Sequence, residues 1–125
     1  YRSAVTTGLE SVDDERVYWA DGSEVRHMRK DLPNSSVSSY QGMDSYVTSM
    51  VSDGRDIYIT TIGDSQQVQG ALWRAPSGTT TTPKKLYETE GDAGAAVKSG
   101  YIVTEDCDTV FFVVQQGGLI RRLTK

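Results

Sequence analysis

Apolar and polar residues alternate in short runs along this chain, and turn residues break each run. Arg16-Val-Tyr-Trp-Ala20, Asp56-Ile-Tyr-Ile-Thr-Thr-Ile62, Ala71-Leu-Trp-Arg-Ala75, Gly100-Tyr-Ile-Val-Thr104 and Thr109-Val-Phe-Phe-Val-Val114 are rich in β-branched and aromatic residues. Such runs, bounded by Gly, Asp and Ser, predict strands. No window carries apolar residues at i, i+3, i+4 and i+7 over three turns, so no helix is predicted. The pattern predicts an all-β fold.

The runs repeat. Ser11–Trp19, Met50–Ile59 and Ile102–Phe112 share one order: an apolar strand end, an acidic turn, then a β-branched residue and an aromatic. Asp suits that turn because its carboxylate binds its own backbone two residues on. A second strand follows each aromatic: Glu24–Arg29, Gln69–Arg74 and Gly117–Arg122. Tyr18 to Arg29 and Phe111 to Arg122 are both 11 residues apart, and Tyr58 to Arg74 is 16. The middle copy thus carries five extra residues around Gly63-Asp64-Ser65-Gln66-Gln67. Ser36–Gly42 and Lys85–Gly91 form a last strand ending in Gly, and Ser3–Gly8 is a shorter version. With strands a to d in each unit, the chain reads d-abcd-abcd-abc. Four-stranded units of about 40 residues are the pattern of β-propeller blades. The predicted units span residues 9–42, 46–91 and 97–125, with 1–8 as a ring-closing strand. A β-sandwich of about seven to nine strands also suits this length, but it has no reason to repeat one order at matched spacing.

Val17-Tyr18-Trp19-Ala20-Asp21, followed by Val25-Arg26, resembles the Tyr-Trp-Thr-Asp repeat of six-bladed propellers found in lipoprotein-receptor ectodomains and in bacterial secreted and periplasmic proteins. Gly70-Ala-Leu-Trp-Arg-Ala-Pro76 with Gly78 looks like the next strand of the bacterial version. The resemblance implies three four-stranded propeller blades, half of a six-bladed ring, and a secreted or periplasmic setting. Propellers usually have about 4–8 blades. Three wedge-shaped sheets leave two apolar flanks, so the expected partner is a second copy of the chain or a second propeller-half chain.

Composition narrows the chemistry. The 125 residues are 37% hydrophobic and 24% charged, with a net charge of −4. That balance disfavours a nucleic-acid backbone partner. The longest apolar run, Val110–Val114, is far short of the ~20 residues a membrane helix needs, so no membrane insertion is expected. The start at Tyr1, without an initiator Met or signal segment, suggests a processed or excised piece. Cys107, the single cysteine, forms no internal disulfide, and Asp106 and Asp108 beside it disfavour a thiolate. Asn34-Ser35-Ser36 matches a glycosylation sequon.

His27 is the single histidine, which removes paired-histidine metal sites. It reads as an exposed or partly buried strand residue. The acidic turns at Asp13/Asp14, Asp53/Asp56 and Glu105/Asp106/Asp108 read as turn caps, because none has the Asp-x-Asp-x-Asp-Gly order of a calcium loop. No phosphate-binding glycine loop or Gly-x-Ser-x-Gly elbow occurs, and no cofactor is predicted. Tyr18, Trp19, Tyr58 and Trp73 read as packing between units, with stacking on sugar rings as the other option. Lys84-Lys85 and Arg121-Arg122 read as solvated strand ends, and Thr79–Pro83 as an exposed loop.

By analogy with propellers, ligands meet the b–c and d–a loops: Asp21–Glu24, Gly63–Gln67, Gln115–Gly117, Gln41–Tyr46 and Glu90–Gly94. The residues predicted to contact a ligand or partner are Asp64, Ser65, Gln66, Gln67, Asp44, Tyr46 and Asp92. The expected role is a non-catalytic binding or assembly module recognising a protein or glycan. The alternatives are a structural subunit of a larger split or oligomeric propeller, and a metal-dependent hydrolase or lactonase. The last would need carboxylates and Asn around a channel metal, and Asn34 is the chain's single Asn.

Overall fold

The structure, a computed structural model, describes residues 10–31, 36–62, 70–88, 101–105, 109–114 and 119–124. These residues form three antiparallel sheets, with no helix among them. The first sheet joins β1 (Glu10–Val12), β2 (Arg16–Asp21), β3 (Glu24–Arg29) and β4 (Ser38–Tyr40) in sequence order. The second joins β5 (Val47–Ser52), β6 (Asp56–Thr61), β7 (Ala71–Pro76) and β8 (Lys84–Glu88) in the same way. The third has three strands, β9 (Tyr101–Glu105), β10 (Thr109–Val114) and β11 (Leu119–Thr124), with β10 central. The expectation of three four-stranded sheets therefore holds for two of them. Among the described residues, the sheets do not close on themselves. The proposed ring-closing strand at 1–8 lies outside the described residues.

Short meanders follow from local chemistry. The β2–β3 hairpin pairs Asp21 with Glu24 across the two residues Gly22-Ser23. Gly22 has φ +65°, and glycine at the first loop position is the type II′ solution that matches strand twist. Asp13 and Asp53 hold the equivalent β1–β2 and β5–β6 turns. Each accepts hydrogen bonds on Oδ1 from the backbone N–H groups two and three residues on, at 2.8–2.9 Å. Both acidic turns act as the caps their sequence predicts.

The first two sheets pack face to face. Tyr18, Val25 and Tyr40 from the first sheet meet Val47, Met50, Ile57, Ile59, Ala71, Trp73 and Ala75 from the second, and Met43 joins from the intervening loop. The two-residue period appears on β6 and β7, where Ile57, Ile59, Trp73 and Ala75 share that face. Val47 and Met50 are an odd number apart, yet both enter this core. A register shift between Val47 and Ser49 makes that possible. Tyr58 and Leu72 point the opposite way and pack with Val51, Leu86, Tyr87 and Leu123 of β11. The second sheet is therefore buried on both faces. The first strands lie side by side, β1 next to β5 and β5 next to β9.

Candidate functional site

One end of the first two sheets gathers the β2–β3 turn, the 41–46 loop and the end of β6. The Val47 N–H donates to the Gly22 carbonyl, and the Ile62 N–H donates to the Tyr46 carbonyl, both at 2.9 Å. These bonds fix the loop while leaving the Tyr46 side chain 68% exposed. A Cβ on Gly22 would lie 3.6 Å from the Tyr46 ring, so the phenol rests over the turn. Asp44 pairs with Lys85 Nζ at 2.9 Å, and the ammonium stands 4.9 Å from the centre of the Trp73 ring. The hydrogen bond and the charge of Asp44 raise the Lys85 ammonium's pKa. Trp73 is almost fully buried and donates its indole N–H to Thr61 Oγ1 at 2.9 Å. Asp21 and Glu24, at the ends of the hairpin, are both paired with Arg26.

Of the residues predicted to contact a partner, Asp44 and Tyr46 lie together on this end. Asp64, Ser65, Gln66, Gln67 and Asp92 lie outside the described residues, as do Asn34 and Cys107. Among the described residues, no three or more His, Cys, Asp or Glu side chains group as metal ligands.

A second cluster, absent from the sequence reading, lies where the first sheet meets the β7–β8 loop, residues 77–83. Asp13 Oδ2 accepts hydrogen bonds from the Tyr18 hydroxyl at 2.9 Å and from the Ser52 hydroxyl at 2.7 Å. The Ser52 N–H donates to Ser11 Oγ at 3.0 Å. One carboxylate thus caps its own turn and binds the neighbouring sheet. Burial pushes the Asp13 carboxyl upward, but the hydrogen bonds from Ser52, Glu15, Arg16 and Tyr18 outweigh it and hold it below 3.8. Tyr40 donates its hydroxyl to the Pro76 carbonyl at 2.7 Å.

His27 sits in the middle of this seam and is fully buried, not exposed or partly buried as its place in a polar stretch of sequence implies. It pairs with Tyr18 across β2 and β3. Its ring stacks on Tyr40 at 4.7 Å and lies tilted against Tyr18 at 5.6 Å. The Nδ1 atom is 3.0 Å from Arg16 Nη1, and Nε2 is 2.9 Å from the Thr79 carbonyl. A guanidinium only donates and a carbonyl only accepts. The ring is therefore neutral, with its proton on Nε2. Pro83 is likewise buried at the end of a loop expected to be exposed, whereas Thr80, Thr81 and Thr82 are exposed as predicted.

No family model matches this sequence, and neither a curated protein nor a solved structure matches it.

Proposed function

We propose that the chain is a non-catalytic binding and assembly module. In this reading its three sheets are propeller blades in d-abcd-abcd-abc order, completed into a six-bladed ring by a second copy. The observation that carries the reading is the side-by-side order of the first strands, β1 to β5 to β9, with the sheets stacked through their faces. Inner strands arranged in that order are how blades surround an axis.

The outer face of the first sheet supports association. The register puts Val12 opposite Val17, and Val17 opposite Met28, which is itself already buried. Trp19 shares that face two residues along β2. Val12 is 56% exposed and Val17 and Trp19 are only partly covered. At the other end of the stack, β10 carries five consecutive apolar residues, the pattern of a strand covered on both sides. A second copy placed head to tail twice would cover both flanks. In the same reading, Asp44 and Tyr46 belong to the loop surface offered to a protein or glycan.

Sedimentation velocity tests the association. The purified chain sediments as a species heavier than one 13.7-kDa copy, and Val12→Lys shifts the population toward single copies. A folded wild-type monomer at tens of micromolar would overturn the reading.

A further inference from the structure

The His27 seam has a chemistry that neither packing nor partner binding requires. We propose that His27 is an acid-sensitive latch: a proton taken up by its imidazole releases the 77–83 loop from the first sheet. Both ring nitrogens are already committed, Nε2–H to the Thr79 carbonyl and the Nδ1 lone pair to the Arg16 Nη1–H. A second proton must go on Nδ1. It would then face a guanidinium N–H at 3.0 Å, donor against donor and positive against positive. The ring is fully buried, so water cannot relieve that clash in place.

The surrounding groups close the other exits. From β2, Arg16 opposes the charged ring. Its Nε lies where a Cβ on Gly78 would be only 2.8 Å away, so the guanidinium is wedged against the loop backbone. From the β1–β2 turn, the Asp13 carboxylate attracts an imidazolium. Both of its oxygens, however, are already bonded to Glu15, Arg16, Tyr18 and Ser52. Tyr18 on β2 and Tyr40 on β4 flank the ring as neutral phenols. Burial raises both hydroxyls, that of Tyr18 to about 12. The 77–83 loop itself offers the Thr79 carbonyl.

The Thr79 carbonyl itself favours a charged ring, so relief comes from opening the loop: water then reaches the imidazolium, and Arg16, no longer wedged against Gly78, moves off Nδ1. Thr79 Oγ1 also bonds to the Pro76 carbonyl, which receives the Tyr40 hydroxyl, so losing the Thr79 contact loosens the whole strap. Burial, then the Arg16 charge, hold the closed imidazole below its ordinary 6.5, against the opposing Thr79 bond. A released imidazole titrates near 6.5. The open form thus binds more protons, and as the pH falls from 6.5 to the lower value of the closed ring the closed form loses up to tenfold in relative population per unit, with no further loss below it.

Proton and amide NMR on the wild-type chain tests the latch. The single histidine gives one ring-proton titration curve, and its midpoint falls below 6.5. Backbone amides of Ser77–Thr82 shift with the same midpoint, while those of β6 stay unchanged. In His27→Gln the loop resonances become flat from pH 7.5 to the acid limit of folding. Arg16→Met moves the wild-type midpoint upward. The proposal is overturned by a ring proton that titrates at 6.5 with no loop response. It is equally overturned by loop shifts that persist in His27→Gln, or by β6 resonances lost together with those of the loop.

Discussion

Removing the Asp13 carboxylate tests whether a turn cap also ties two sheets together. In Asp13→Ala, the backbone N–H groups of Glu15 and Arg16 lose their acceptor, but Glu15 is exposed and water replaces much of that loss. The Tyr18 and Ser52 hydroxyls lie inside the seam and lose a charged acceptor at 2.9 and 2.7 Å. A hydrogen bond to a charged group contributes about 1.5–3 kcal/mol. Asp13 is only partly buried, so the lower end applies to each, and Asp13→Ala destabilises by about 3 kcal/mol in all. The cross-sheet share is isolated by a double-mutant cycle with Ser52→Ala. The account predicts a coupling energy of about 1.5 kcal/mol, equivalent to about 1 M in urea midpoint at an m-value near 1.5 kcal/mol/M. Equilibrium urea unfolding of the four proteins, at one protein concentration, measures it. Because the folded carboxyl titrates below 3.8, this contribution is complete above that pH and is lost as the solution is acidified through the folded value. Strict additivity of the two substitutions would refute the reasoning: Asp13 would then serve its own turn and nothing else.

Glycine geometry and core packing give further outcomes. Gly78 (φ +77°) and Gly54 (φ +88°) both occupy the left-handed region, but a Cβ at Gly54 meets open space whereas one at Gly78 strikes Arg16. Thermal or urea melts should show Gly54→Ala losing about 1 kcal/mol of stability from backbone strain alone, with Gly78→Ala losing more and releasing Arg16 from His27. Leu72 is fully buried between the second sheet and Leu123, so Leu72→Ala should destabilise by about 2–5 kcal/mol. A loss below about 1 kcal/mol in the same assay would mean that the third sheet does not cover this face.

The strands were legible because their signals are local. Glu24–Arg29 is β3 to the residue, and the shared apolar–acidic–aromatic order placed β1–β2 and β5–β6 with their Asp-capped turns. The period of two also explains which of Ile57, Tyr58 and Ile59 share a face. His27 was not legible. Its neighbours in sequence, Arg26 and Met28, give no sign that Thr79, 52 residues away, will close over it. Sequence likewise shows Asp13 as a turn residue, and only the approach of β5 supplies Ser52 as its second partner. Val47 and Met50 break the simple alternation because a bulge adds a residue that pattern counting cannot place. At the loop end, Asp44 and Tyr46 are marked in the sequence by their position between units. The Lys85 ammonium beside Trp73 is not legible in sequence, because its partners Asp44 and Trp73 come from other segments of the chain.

Blades that surround an axis require neighbours to cover the end sheets. Chromatography-coupled small-angle X-ray scattering of the purified chain tests this requirement most directly. Two copies closed into one compact ring predict twice the single-chain mass and a radius of gyration of about 18 Å. A single-copy mass with a radius near about 14 Å would contradict the account.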